Sequence, residues 1–312
     1  MSTIKNVLGT VASWYDNRWS PNNDPANQHG VDWARVASFA FLHLGCLGVL
    51  WVGWSPIAAL VALTLYFARV TFITGFYHRY FSHKAFKTSR FMQFVFAVLG
   101  NTAIQRGALW WAAHHRHHHK YSDTEPDPHS PITKSLLRSH IGWITLRENF
   151  PTRDRWIPDL VKYPELRFLD RFDTLVPILY GFGLFGLGAL LERVAPGLGT
   201  NGWQMLVWGL FISTTALFHV TALVNSGAHL IGRRRFQTKD QSKNSLLIAI
   251  LTAGEGWHNN HHHYPASARN GFYWWEIDVT FYMLKTLAWL GLIWDLNPVP
   301  VHVLESGRKR AA

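Results

Sequence analysis

The chain has 312 residues, of which 48% are hydrophobic and 16% charged, against roughly 25% charged in an average soluble domain. Its aromatic content of 15% excludes intrinsic disorder. The single cysteine, Cys46, excludes a disulfide scaffold and any cysteine-built zinc or iron–sulfur site. A net charge of +11 suits nucleic acid, an anionic membrane surface or an acidic partner, so its placement along the chain has to choose among them.

The first stretch, Val7 to Trp14, is a short apolar patch without a convincing signal cleavage site. With Trp14, Tyr15 and Trp19 it reads as an interfacial helix or a tail. Residues 36–54 form an apolar run interrupted only by His43, and after Ser55-Pro56 a second run, 57–77, carries Arg69 as its only charge. Each is close to the roughly 20 residues that cross about 30 Å of hydrocarbon as a helix, and so short a joint makes them an antiparallel hairpin. A second pair, 175–191 and 203–224, follows much later, and its Gly181, Gly183, Gly186 and Gly188 predict close helix packing. Two shorter apolar stretches, Phe91 to Leu99 and Leu246 to Thr252, cannot span and belong at the interface or in a cap.

A soluble protein with buried helical hairpins is the competing architecture. Tryptophans at several run ends (Trp51, Trp54, Trp203) favour the membrane. All but two of the 30 Lys and Arg residues precede the first span, lie between the hairpins or follow the fourth span; the exceptions are Arg69 and Arg193. If four helices cross, those charges share one side. The positive-inside bias then puts both termini and the long middle segment in the cytoplasm. The basic balance becomes an orientation signal, and no nucleic-acid partner is called for. The predicted fold is an all-α integral membrane protein with four transmembrane helices in two hairpins. A cytoplasmic helical cap, built from 78–174 and 225–312, completes a single domain over 1–312.

The 18 histidines are unevenly placed. His78 and His83 lie just past the second span, His114, His115, His117, His118 and His119 form a second cluster, and His258, His261, His262 and His263 a third. Asn225 and His229 stand at the end of the fourth span. On a helix, residues i, i+3 and i+4 share a face, which is the spacing of His115, His118 and His119 and of His258, His261 and His262. Asn225 and His229 form an i, i+4 pair. His78 and His83, five apart, converge only if the helix ends or bends there. His43, His140, His219 and His302 occur singly and read as structural. The clusters all fall on the predicted cytoplasmic side near a membrane boundary, the arrangement of a metal site. Nine spaced histidines exceed what one ion accepts, so two ions are expected. Neutral imidazoles suit iron, zinc or copper rather than magnesium or calcium. Asp123, Glu125, Asp127 and Glu255 sit where they could accept the outer N–H of ligating rings or serve as caps and solvated loop residues.

With H-R-Y-F-S-H, H-R-H-H-H-K-Y-S-D-T-E-P-D-P-H, V-N-S-G-A-H and G-E-G-W-H-N-N-H-H in this order, the chain resembles the membrane-bound fatty acyl desaturases, in particular the stearoyl-CoA (delta-9) branch, and looks like a bacterial-type member. The resemblance runs from about residue 35 to residue 295. It implies His78, His83, His115, His118, His119, His229, His258, His261 and His262 as metal ligands, with Asn225 reaching a metal through a water. His114, His117 and His263 fall outside the pattern.

What the resemblance implies chemically is an oxygen-dependent desaturase that introduces a cis double bond, at delta-9, into a saturated acyl chain. Its cofactor would be two ferrous ions, which zinc can replace in purified protein. Its partners would be a long-chain acyl-CoA or acyl-lipid, membrane lipid, and a separate electron donor such as a ferredoxin, a flavoprotein or a cytochrome b5-like protein. A di-iron acyl or alkane hydroxylase shares the box pattern. A histidine-rich zinc membrane hydrolase or metal transporter is a more distant alternative, although a transporter would hold its ligands at mid-membrane. Two departures bear on the carrier. Where animal members carry a basic–acidic pair before the second box, this chain has Ala113 and His114, and a further basic pair is replaced by Arg147-Glu148. CoA is the first carrier expected, with acyl-lipid and acyl carrier protein as alternatives. The resemblance also places the closed end of the acyl tunnel near Tyr66 and Ala62, where a bulky Tyr would limit chain length and the competing role is helix packing.

Overall fold

A computed structural model describes residues 12–309; most of the apolar patch at Val7 to Trp14 lies outside them. Four helices are long and apolar enough to cross a membrane: α1 (Trp33–Val52), α2 (Pro56–Ser82), α7 (Leu175–Val194) and α8 (Gly202–Gly227). The cap between the hairpins holds α3 (Arg90–Asn101), α4 (Ala108–Tyr121), α5 (Leu136–His140) and α6 (Pro164–Arg171). After α8 come α9 (Leu246–Leu251), α10 (His258–His263), α11 (Val279–Trp289) and α12 (Val301–Lys309).

The span ends follow local chemistry. Asp32 caps α1 by accepting from the Ala34 and Arg35 amides, and Ser55 caps α2, where Pro56 supplies the fixed φ and missing N–H of a first helical position. Asn201 does the same for α8. Among the four glycines of α7, only two meet neighbours. A Cβ on Gly188 would stand 2.3 Å from the Asn201 carbonyl oxygen, and one on Gly181 would be 3.4 Å from Leu210, whereas Gly183 and Gly186 face open space. Close packing thus accounts for half of that glycine pattern.

Arg69 and the imidazoles inside the spans are engaged. Arg69 is buried and donates to the Thr214 and Ser213 hydroxyls at 2.6 Å each, and to the carbonyls of Thr102 and Gly209. It thereby ties α2 to α8 with no carboxylate partner among the described residues. Intramembrane charge is expensive unless held this way. Three of the four singly placed histidines form a chain: His43 Nε2 to His219 Nε2 at 3.0 Å, His219 Nδ1 to His140 Nε2 at 3.1 Å, and His140 Nδ1 to the Ser226 hydroxyl at 2.8 Å. His43 Nδ1 faces the Phe39 carbonyl, 2.8 Å away, and so carries a proton, while at the other end the Ser226 hydroxyl donates to the Ala222 carbonyl at 2.9 Å. Polar links of this kind join helices where lipid offers no hydrophobic contrast. Here they connect α1, α8 and the cap.

The cap packs onto the inner ends of α2 and α8 through an aromatic core. Phe76 stacks on Phe96 with centroids 3.9 Å apart, and Tyr77, Phe81 and Phe86 are buried around them; each such ring contributes about 1.5–3 kcal/mol by burial. A two-stranded antiparallel ribbon, β1 (Lys87–Thr88) with β2 (Ile293–Trp294), pairs Lys87 with Trp294 and Thr88 with Ile293. It brings the start of the cap to its end.

Candidate metal centre

The last ten residues of α2, Ile73–Ser82, are wound as a π-helix. In that winding residues five apart come onto one face, so His78 and His83 meet with ring centroids 5.0 Å apart. The convergence that their spacing made conditional on an end or a bend is met, since the wide winding stops at Ser82 and His83 is the residue just past the helix. The inner end of α2 is buried with its charge satisfied. The Arg79 guanidinium donates to both Asp278 oxygens (3.0 and 2.9 Å) and to Glu255 at 2.9 Å.

The second cluster lies on α4, whose N-terminus is fixed by Asp170. That carboxylate accepts from the Trp110 amide at 2.9 Å and the Thr152 hydroxyl at 2.7 Å. Gly107 leaves room for it, since a Cβ there would sit 2.7 Å from the Asp170 Cα. Burial pushes the Asp170 carboxyl up to about 6, opposed by the nearby Arg106 charge. The third cluster forms α10, held from below by Asn259, whose carbonyl oxygen accepts from the Arg235 and Phe236 amides.

These elements bring the nine histidines into two groups. His78, His83, His115, His119 and His261 present ligand nitrogens within 4.8 Å of one another, as do His118, His229, His258 and His262. Both helical triplets are therefore divided. On α4, His115 and His119 serve the first group and His118 the second; on α10, His258 and His262 serve the second and His261 the first. His229 lies just beyond the end of α8, since the helix stops at Gly227, so Asn225 and His229 do not share a helix face. Asn225 lines the cavity that reaches His115.

Four of the nine outer nitrogens are held by carboxylates. His78 Nδ1 is 2.5 Å from Glu255, His118 Nδ1 2.9 Å from Asp127, His229 Nδ1 2.8 Å from Asp123, and His262 Nδ1 2.7 Å from Asp240. Three of these partners are among the acids flanking the boxes. Glu125 pairs with Lys134 instead, and Asp240, far from any box in sequence, takes the fourth place. With the proton on Nδ1 of these four rings, their Nε2 lone pairs face inward. His261 Nε2 then stands 2.9 Å from both His78 Nε2 and His119 Nε2, and His83 Nε2 is 2.9 Å from His115 Nε2. His262 Nε2 is buried with no hydrogen-bond partner. Converging lone pairs without protons repel unless a cation lies between them, so the residues present fit two metal ions. Burial, reinforced by neighbouring imidazoles, holds His83, His115, His119, His258 and His261 well below the usual imidazole range, in the neutral form that binds metal.

Residues outside the pattern find other places. His114 is buried beside Trp110 and Trp143, His117 packs against Tyr121 and Trp156, and His263 stacks on Phe236. His129, which spacing did not single out, is buried with Asp127 and His118 in a third potential ligand group. The D-P-H sequence just beyond the second box was its only signal.

A cavity of about 760 Å³ opens between α1, α7 and α8 and ends at Trp111, His115 and Asn225, within the range of small-molecule sites. Phe41, Phe182 and Trp203 line its membrane part and are themselves largely exposed on the spans, so it opens sideways toward lipid. Tyr66 and Ala62 stand apart from it. The Tyr66 hydroxyl donates to the Leu251 carbonyl at 2.7 Å, linking α2 to α9, and Ala62 is buried with its carbonyl accepting from Ser213.

An all-α membrane protein with two histidine groups backed by carboxylates, at the inner end of an apolar cavity, has the form of a metal-dependent enzyme acting on a lipid-like substrate. The chain belongs to the fatty acid desaturase family, whose description matches residues 53–293. It is an oxidoreductase, a desaturase of acyl-CoA or acyl-lipid. Similar proteins include the sn-2 palmitoyl-lipid 9-desaturase of Nostoc sp. (strain 36), 36% identical over 85% of this chain and 90% of that protein. The acyl-CoA 5-desaturase AL21 of Anemone leveillei is 39% identical over 84% of this chain and 78% of its own length. The sn-1 stearoyl-lipid 9-desaturase of Anabaena variabilis is 36% identical over 84% and 92%.

Proposed function

We propose that this desaturase introduces a cis double bond at delta-9 of a saturated long acyl chain, using dioxygen, a di-iron centre and electrons from a separate carrier protein. The observation that carries the reading is the pair of histidine groups, each with Nδ1 protons drawn outward by Asp or Glu. Neutral imidazole ligands suit iron, and two irons held there would activate dioxygen, the oxidant that no side chain can supply. The nine histidines hold the pair, and Asn225 orders a water beside it. Trp111, which lines the cavity next to His115, positions the alkyl chain, and the apolar walls exclude bulk water from it. Zinc in purified protein would be a substitute. The cap carries most of the Lys and Arg residues, which supports a cytoplasmic active site and cytoplasmic termini, at the inner membrane of a bacterium.

For the carrier we favour a membrane acyl-lipid. The cavity opens toward lipid, and His114, in place of a charge before the second box, is buried between tryptophans rather than offered to a head group. Acyl-CoA is the second reading, supported by the resemblance to the stearoyl-CoA branch. Expression of the chain in a host without its own desaturase, followed by lipid and acyl-CoA analysis, tests both. The expected product is a delta-9 cis alkene in membrane lipid, formed only with oxygen present. A hydroxylated chain would instead assign the enzyme to the di-iron hydroxylases, and product formed without oxygen would remove the di-iron reading altogether.

A further inference from the structure

The segment after His229 forms a wall one chain thick over the second histidine group. Its inward residues serve the site. Asp240 holds His262, the Gln241 amide donates to Asp123 at 2.7 Å beside the His229 contact, and the Arg235 and Phe236 amides anchor α10 through Asn259. The Phe236 ring lies parallel to His263, the neighbour of His262, at 4.2 Å and an angle of 2°. Its outward residues are basic. Arg233, Arg234 and Lys239 are exposed. Among the described residues none of the three has a carboxylate within salt-bridge distance, and Arg234 spends its guanidinium on Gln241 and Thr238 of the same segment. Elsewhere on the cap Lys84, Lys87, Arg90, Lys134, Arg138 and Arg167 are each paired with an acid, and Lys120, Arg155, Lys162 and Lys285, exposed without one among the described residues, are scattered along the chain rather than clustered. A shallow depression lined by Arg234, Arg235, Phe236 and Gln237 opens on the same surface.

We propose that the Arg233–Gln241 segment is the docking surface for an acidic one-electron carrier protein, bearing an iron–sulfur or haem group. Its cations select the partner by charge, and the Phe236–His263 stack and the Asp240–His262 hydrogen bond form the short route inward. In each encounter one electron leaves the carrier and enters the histidine-held site, and no atom or proton crosses the interface. Unpaired surface cations raise association rates with an acidic partner and are screened by salt. The inference rests on the desaturase reading in needing an external reductant, but its test does not depend on turnover.

The rival use of the same cations is an anionic lipid surface, since Leu230 and Ile231 are exposed just before them. What favours the protein partner is that the basic segment is bonded directly to the histidine helix, where lipid contact would have no use for such coupling. The experiment uses the full chain in phosphatidylcholine nanodiscs, with an acidic plant-type [2Fe–2S] ferredoxin as probe and a basic c-type cytochrome as counter-probe. Binding is read by surface plasmon resonance. The Arg233→Glu/Arg234→Glu double variant should weaken ferredoxin binding by about tenfold or more at low salt. The difference should vanish near 1 M salt, where the Debye length is about 3 Å. Arg155→Glu, a charge reversal elsewhere on the cap, should leave binding unchanged, and the c-type cytochrome should not bind the wild type. Unchanged ferredoxin affinity in the double variant overturns the proposal. So does an equal loss in Arg155→Glu, or a defect seen only when phosphatidylglycerol is added to the discs. Desaturation in a single turnover, with the protein reduced under argon, freed of excess reductant and then mixed with oxygen, should be equal in wild type and double variant; its absence in both would count against the desaturase reading and leave the docking result standing.

Discussion

Asp127 and Asp240 each hold one ring of the second histidine group, His118 and His262, through Nδ1. Both carboxyls lie below the ordinary range. Burial works against that shift, and the adjacent imidazoles together with hydrogen bonds outweigh burial. A carboxylate behind a ligating histidine fixes the tautomer and raises the basicity of the inward nitrogen. Asp127→Asn or Asp240→Asn keeps the shape and removes the charge. Each should lower metal affinity by roughly 10–100-fold, with the helical content unchanged. Competitive metal titration against a chelator, alongside circular dichroism, measures both; full metal affinity in the two variants would mean that these acids serve loop geometry alone. Asp127 stands in the motif beside the second box and was foreseeable. Asp240 was not, because only the path of the chain after α8 brings it back over α10. The assignment of single histidines to the two groups was equally out of reach. Spacing says that His115, His118 and His119 share a face, but the rotation of α4 against α10 decides that His118 turns to the second group.

At the scale of the element, α4 carries histidines for both groups, and its N-terminus depends on Asp170. The folded carboxyl is pushed by burial from an ordinary 3.8 to about 6. Between those values the folded chain holds a proton that the unfolded chain has released, so stability falls as pH rises through that window and is level above it. The shift corresponds to roughly 3 kcal/mol. Asp170→Asn retains an acceptor for the Trp110 amide but has no proton to lose. Relative to wild type it should therefore gain stability from about pH 4 to pH 7. Thermal unfolding of the metal-free proteins across this range checks the difference, since histidine protonation would release metal in the same window and is common to both metal-free chains. A constant difference would show that Asp170 ionises freely in the fold. The helix itself was legible from the i, i+3, i+4 pattern. The π-winding at Ile73–Ser82 was not, because an amino-acid pattern signals helix but not the extra residue per turn that brings His78 to His83.

For the whole molecule, the four spans and the cap were legible because apolar run length and charge asymmetry are properties of the chain itself. The ties between spans were not. His43, His140 and His219 look solitary along the sequence and become one hydrogen-bonded chain only when α1, α8 and α5 are assembled. The histidine groups act at the same scale. The first draws on the end of α2, on α4 and on α10; the second draws on α4, on the turn after α8 and on α10. A cation in each group therefore links the first hairpin to the second and both to the cap, and it replaces the mutual repulsion of inward lone pairs with coordination. Binding to the folded state alone stabilises it by RT ln(1 + [L]/Kd), about 4 kcal/mol when free metal is a thousand times Kd. Iron removal with a strong chelator should lower the thermal midpoint and expose the cap to proteolysis before the spans. Restoring ferrous iron under argon should reverse both effects. In His118→Ala/His261→Ala, which loses one ligand from each group, the chelator should shift the midpoint much less than in wild type. An equal shift in that variant would show that the chelator acts elsewhere, and the two groups would then be a packed imidazole core with no ion to hold them together.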